Sequence, residues 1–400
     1  MTEPAALFQP LTLPCGATLK KRIAKAAMSD SLGDGKGQPS REQIRLYRRW
    51  AEGGAGLSIV GEVQSSPWFP EKPGNLVLDA DADTARFQAL AEAGHRAEGQ
   101  LWAQLGHAGA LAHPLISSPK GPSALDLPGV RCAEMTLAEI NAFPSLIAAT
   151  AKRASDAGFG GVEIHAAHGF LLSQFLSPLF NRRSDAHGGP IENRMRLLLE
   201  TIEATRSAVG PAFPVGVKLN ATDQLKGGFT EEDALAVVAA LNETSLDLID
   251  ISGGTYFPGA ANASESSRTG PYFLDFAREA RYLTTIPLML TGGIKTRDHA
   301  EAVLASGAAD LVGLARLLVL EPDLPNLWAK GMKPAPEFPR FSSRVEGGVT
   351  AWYTMRLTDI GRGEVAPAPR ELDAALIAYE ARDAERAAIW RRHFGPPERG

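Results

Sequence analysis

Cysteine is nearly absent: Cys15 and Cys132 are the only two in 400 residues. That excludes a cysteine-ligated iron–sulfur cluster, a CxxC redox pair and a disulfide framework. Charge of one sign is scarce in any one place, because 41 Lys and Arg face 46 Asp and Glu, for a net −5, and neither sign forms a block. The electrostatic footprint of a nucleic-acid partner is therefore missing. Long hydrophobic runs are missing as well. The opening MTEPAALFQPLTLP has no basic stretch followed by an apolar one, and the most apolar later run, Leu311 to Leu320, is broken by Arg316. The expectation is a cytoplasmic protein with no membrane segment. No GxGxxG occurs anywhere, so a dinucleotide-binding turn of the usual kind is not expected.

What the chain does have is an ordinary globular composition, 44% apolar and 22% charged, enough for a large core. Short β-like runs alternate eight times with longer helical ones. The runs are Arg22–Ser29, Leu57–Gln64, Gln100–Gly106, Gly161–His168, Val215–Asn220, Leu246–Ser252, Ile286–Thr291 and Asp310–Ala315. Between them lie amphipathic stretches such as Arg41–Ala51, Leu137–Ala157, Ile191–Ala208, Glu231–Leu241 and Arg297–Ser306, several opening on Ser, Thr or Asp caps. Eight βα units favour an α/β fold of the closed (β/α)₈ TIM-barrel type over two open four-stranded domains. The barrel is expected over residues 1–332. From 333 to 400 a different pattern follows: Pro334, Pro336 and Pro339, an aromatic pair at Trp352 and Tyr353, and a charged helical tail from Glu371 to Arg392. This C-terminal extension should pack on the outer helices or on a neighbouring subunit of a homo-oligomer.

In such a barrel chemistry gathers at the C-terminal ends of the strands. Those ends carry Met28-Ser29-Asp30, Glu62, Gln104 with His107, His165 with His168, Lys218 with Asn220, Ser252, Thr291-Gly292-Gly293 and Gly313-Leu314-Ala315-Arg316. Burying such groups without partners is costly, and a small-molecule ligand in the mouth is an economical explanation. The last two ends bring bare backbone N–H groups and a guanidinium together, which suits a phosphate; the alternative is a simple turn with a surface arginine. His165 and His168, three apart, converge only if the strand ends between them. A converged pair offers two N–H donors to an oxygen, the alternatives being two core histidines or half of a zinc site.

Several of these segments together resemble the Old Yellow Enzyme, or NADH:flavin oxidoreductase, family over about residues 7 to 330. They are Gly158-Phe159-Gly160-Gly161-Val162-Glu163-Ile164-His165-Ala166-Ala167-His168-Gly169, Leu171 to Pro178, Asn181-Arg182-Arg183-Ser184-Asp185 and Gly188-Gly189 through Glu192-Asn193-Arg194. Gln104 to Gly109, Gly121 to Ala124, Lys218-Leu219-Asn220 and Ala315-Arg316 fit in order and spacing. The resemblance implies FMN across the mouth, its phosphate at Gly292, Gly293, Gly313, Ala315 and Arg316. It places Ala27, Met28 and Ser29 against the flavin, Gln104 at the pyrimidine edge, and Lys218 where a cation stabilises anionic reduced flavin. Glu62 falls where a small residue's backbone normally meets the flavin, implying a side chain turned away or a register displaced by one.

Family chemistry implies hydride from diffusing NADH or NADPH to the flavin and then to an electron-poor alkene, with His165 and His168 holding the activating oxygen. The family's proton donor is a Tyr two positions after the second of these. Here it is Phe170, which has no proton to give, and such a proton is worth roughly 10² to 10⁴ in rate. Tyr256, Tyr353 or a water then becomes the acid, or the physiological substrate needs no proton, or the enzyme runs as a dehydrogenase or isomerase. From another class, a non-redox barrel enzyme with a phosphorylated substrate uses the same Gly and Arg loops.

Overall fold

The computed structural model describes residues 5–257, 270–334, 336–341, 345, 347–364 and 370–395. The eight expected strands are all present: β1 (Ile23–Lys25), β2 (Leu57–Gln64), β3 (Gln100–Gly106), β4 (Gly161–Ala166), β5 (Val215–Asn220), β6 (Leu248–Ser252), β7 (Leu288–Thr291) and β8 (Leu311–Leu314). Each pairs in parallel with the next. Because β8 also pairs with β1, with Val312 opposite Ile23, the sheet closes into a (β/α)₈ barrel. β1 is shorter than the expected Arg22–Ser29, since beyond Ala26 the chain leaves the ladder to cross the mouth.

Alternation along each strand sets inside against outside. Inward-facing Ala24, Leu57, Ile59, Trp102, Leu248, Met289 and Leu311 plug the lower barrel together with Leu11, Leu13 and Leu19 of an N-terminal hairpin. Outward-facing residues such as Val60, Leu101, Val162, Val217 and Val312 meet the helices in the main core. These helices are α1 (Arg41–Glu52), α2 (Thr84–Gly94), α3 (Leu137–Asp156), α4 (Arg196–Val209), α5 (Glu231–Leu241), α6 (Leu274–Arg281) and α7 (Arg297–Ala305). Several of their starts carry the expected side-chain caps: Ser40 accepts from the Gln43 amide, and Thr136 and Glu139 form a reciprocal capping box.

The C-terminal part folds back on its own barrel. Helix α8 (Gly348–Arg362) lies on α1, where Arg45 Nε donates to the Gly361 carbonyl at 2.7 Å, and its Tyr353, Leu357 and Ile360 join the main core. Helix α9 (Leu372–Phe394) lies over loops at the barrel mouth. Trp390 Nε1 donates to the Pro67 carbonyl at 3.2 Å, Arg386 donates to the Ser31 carbonyl, and Ala387 and Trp390 pack on Val77 and Ile116. No helix among the described residues is long and apolar enough to cross a membrane.

Candidate active site

Above the apolar plug the barrel interior changes character. Gln104 of β3, Glu163 of β4, Lys218 of β5, Asp250 of β6 and Thr291 of β7 form a belt in which every side chain is at least nine-tenths buried. Lys218 donates to Asp250 Oδ2, Thr291 Oγ1 donates to Asp250 Oδ1 at 2.6 Å, and Gln104 Nε2 donates to Glu163 Oε1 at 2.6 Å. A buried charge persists only when paired in this way. Burial pushes Glu163 up to about 8, against the pull of Lys218, so it is held as a neutral acid near pH 7. Burial raises the Asp250 carboxyl as well, against the pull of Lys218, and Lys218 stays above its ordinary value because the attraction of Asp250 and Glu163 outweighs its burial. Glu163 and Asp250 were not among the expected site residues. Their signal was a carboxylate in the middle of an apolar strand, Val162-Glu163-Ile164 and Ile249-Asp250-Ile251.

The next layer is the mouth. β4 ends at Ala166, and His168 takes a left-handed backbone with φ 61°, so the two imidazoles converge as the sequence pattern required. His165 Nε2 and His168 Nδ1 are 3.1 Å apart, and His168 Nε2 lies 3.0 Å from Ser252 Oγ. Asn220 Oδ1 accepts from the His168 amide at 3.1 Å, fixing the turn. Burial, with Lys218 nearby, drives both rings well below the ordinary histidine pKa, so both are neutral.

At Glu62 the β2–β3 register shifts by one residue, between Val60 and Val63, and Glu62 sits at φ 65°. This bulge rotates the carboxyl into the mouth. Gly61 allows it, since a Cβ there would stand 2.2 Å from the Met28 carbonyl oxygen. Glu62 Oε1 meets His165 Nδ1 at 2.7 Å, while Oε2 accepts from Gln64 Nε2 at 3.1 Å.

Phe170 is buried against Ala108 and Ala112, its ring 4.9 Å from that of His165 and 5.8 Å from that of Tyr256. Tyr256 also lies 6.0 Å from the His168 ring and is 60% exposed at the rim. Tyr353 is elsewhere, beneath the Arg316 guanidinium at 4.8 Å, at the end of β8 opposite β4. Of the two tyrosines considered as acids, only Tyr256 faces the histidines. Ser29 accepts from Asn75 Nδ2 at 3.4 Å and bonds the carboxyl of Glu71, which burial lifts to about 7. Ala27 and Met28 lie half-buried beside it at the end of β1.

Whether these residues suit FMN is decided at β7 and β8. Gly292 and Gly293 have φ 115° and 77°, and a Cβ on Gly293 would meet the Gly270 carbonyl oxygen at 2.1 Å. Only bare backbone fits there, which exposes N–H groups to an anion. Gly313 is equally tight against Thr291, and Ala315 leads into Arg316, which has no carboxylate partner among the described residues. A guanidinium left for a phosphate at one end, and the Gln104–Lys218 belt below the mouth, fit the two ends of FMN. Gly293→Ala is expected to yield protein with little bound flavin and an FMN Kd raised at least ~10-fold, or about 1.4 kcal/mol, by fluorescence titration. Full flavin content would overturn the cradle.

A barrel with this mouth defines the class of FMN-dependent (β/α)₈ oxidoreductases. The chain belongs to the NADH:flavin oxidoreductase / NADH oxidase family, whose profile matches residues 6–334, and with it to the old yellow enzymes. It is 33% identical over 392 residues to the NADH-dependent flavin oxidoreductase iliE of Neonectria sp. (strain DH2), covering 87% of this chain but 50% of that protein. It is 34% identical over 352 residues to the NADH-dependent flavin oxidoreductase iliE of Hypocrea jecorina (strain QM6a), covering 79% and 87%. Among solved structures, morphinone reductase matches with a TM-score of 0.72 and 28% identity, over 84% of this chain and 92% of that one.

Proposed function

We propose that the chain is an FMN-dependent NAD(P)H oxidoreductase that reduces an alkene conjugated to a carbonyl or similar electron-withdrawing group. The observation that carries this reading is the imidazole pair, His165 Nε2 and His168 Nδ1, converging at 3.1 Å in the barrel mouth. Two neutral imidazoles in a dry site, with their orientation fixed by Glu62, Asn220 and Ser252, are aimed where an oxygen gathers negative charge. Gly292, Gly293, Gly313, Ala315 and Arg316 would hold the phosphate of FMN, and Ala27, Met28, Ser29, Gln104 and Lys218 its ring. Bound and reduced by a diffusing nicotinamide, FMN supplies the hydride. Lys218 presents positive charge below the ring site, and Phe170 with Tyr256 walls the substrate's place beside the histidines.

One observation favours a second reading. Phe170 lies in an apolar setting with no proton to offer, and a dehydrogenase or isomerase would need none there. Anaerobic stopped-flow separates the two: the protein is reduced with NADH or NADPH and mixed with a panel of enones. Fast reoxidation is expected. Reduction by nicotinamide followed by no enone turnover would shift the assignment to the dehydrogenase direction. Phe170→Tyr is expected to speed reoxidation by cyclohexenone-type substrates at least ~10-fold, a part of the general-acid effect. Reduction by the nicotinamide should barely change. Equal changes in both rates would refute this role for position 170.

A further inference from the structure

Four groups in the mouth form one continuous hydrogen-bonded chain: Glu62 Oε1 to His165 Nδ1 at 2.7 Å, His165 Nε2 to His168 Nδ1 at 3.1 Å, and His168 Nε2 to Ser252 Oγ at 3.0 Å. Each imidazole uses both ring nitrogens within it. A neutral imidazole carries one donor and one acceptor, so one proton position fixes all the others. With the proton on Glu62, its O–H donates to His165 Nδ1, His165 Nε2–H donates to His168, and His168 Nε2–H donates to Ser252. With Glu62 ionised every bond reverses. The chain therefore has two complete arrangements, and passing between them carries one proton from the Glu62 end to the far end.

We propose that Glu62 is the proton store of this site, a positioning residue behind His165 that replaces the missing side-chain donor at position 170 and delivers its proton to the substrate's oxygen. This rests on the alkene-reduction reading above. Hydride adds to the β-carbon, and the alkene's electron pair moves onto the oxygen. The N–H bond at His168 Nε2 breaks as an O–H bond forms, the His165 Nε2 proton passes to His168 Nδ1, and the Glu62 proton passes to His165 Nδ1. The substrate leaves the step as a neutral enol, Glu62 is left as a carboxylate, and water reprotonates it afterwards. The enol becomes the saturated carbonyl compound in solvent without net gain or loss of protons or electrons.

The surroundings suit a stored proton. Glu62 is 2% exposed, and among the described residues its side chain bonds Gln64 and the neutral His165, with no lysine or arginine bonded to it. Burial lifts its carboxyl to about 8. The other titratable groups facing it are Glu71 and Tyr256 from the loops, both acids, while Lys218 acts on the histidines from below. Burial disfavours charge on both members of the Glu62–His165 pair, so the neutral form with the proton on Glu62 is the resting one.

The test follows the reoxidation of reduced holoenzyme by an enone bearing an α-substituent, in H₂O and D₂O, from pH 6 to 9. For the wild-type protein the rate should fall as pH rises through about 8. Deuterium should enter the α-carbon equally on both faces, since the enol is protonated in solvent. Glu62→Gln keeps the N–H that orients His165 but carries no acidic proton. It should slow reoxidation at pH 7 by at least ~10-fold, abolish the inflection, and affect nicotinamide reduction of the flavin far less. Glu71→Gln should leave the inflection in place. A single α-epimer from the wild-type protein, or Glu62→Gln with wild-type rate and pH profile, overturns the proposal while leaving alkene reduction standing. Absence of enone reoxidation in the wild-type protein removes the reading beneath it.

Discussion

His165→Ala is expected to lower the rate of alkene reduction about 10² to 10³-fold, the usual loss when one well-placed donor to a developing oxyanion is removed. Flavin reduction by the nicotinamide should be affected far less. The loss is steep because His165 is the middle of a chain. Its Nδ1 meets Glu62 and its Nε2 meets His168, so truncation removes one donor and leaves the other ring without the partner that sets its tautomer. A second readout is independent of turnover. Phenolates that stack on bound flavin give a long-wavelength charge-transfer band, and the variant should bind them weakly and lose much of it. His165→Asn, which keeps a donor, should recover part of both effects. An unchanged band in His165→Ala would show that the imidazoles face away from the ligand.

Lys218→Met is expected to destabilise the protein by about 3 to 5 kcal/mol, the usual cost of removing one partner of a buried ion pair. Lys218 is 1% exposed and Asp250 fully buried, and when the ammonium goes Asp250 keeps the Thr291 hydroxyl and the Glu163 carboxyl but loses the cation beside it. Glu163 beside it is already a neutral acid and cannot compensate a charge. Lys218→Met combined with Asp250→Asn removes both charges and keeps an acceptor for Thr291, so it should recover most of the loss. Urea denaturation of the two variants measures the difference through the shift in midpoint. A single variant within 1 kcal/mol of wild type would sink the account of the belt. Because the proposed ring site lies above this cation, both variants should also bind FMN more weakly than the parent protein.

The strands and the order of elements were legible because their signals are local. An apolar run ending in glycine or polar residues marks a strand, a Ser or Thr before a 3.6-residue period marks a helix, and eight alternations leave few arrangements besides a closed barrel. Thr291-Gly292-Gly293 and Arg316 were readable for the same reason, since a backbone that must stay bare calls for glycine wherever it occurs. Most of the mouth was readable as a set of strand ends. The direction of each side chain was not. Glu62 points into the mouth only because a bulge between Val60 and Val63 rotates the strand by one residue, and nothing in Gly61-Glu62-Val63 announces a bulge. Likewise His165 and His168 were expected to converge only on condition that β4 stopped between them, a condition set by the left-handed turn at His168.

By itself, then, the sequence determined the fold class, the bare backbone at Gly292 and Gly293 and the identity of the groups at the mouth, because each depends on patterns a few residues long. The tertiary structure alone decided the partners: Lys218 with Asp250, Gln104 with Glu163, Glu62 with His165, and α9 with the loops of its own barrel. Those pairings join residues 32, 59, 103 and 323 positions apart. Barrel closure sets such distances through the stagger of one strand on the next, and no local propensity reports that stagger.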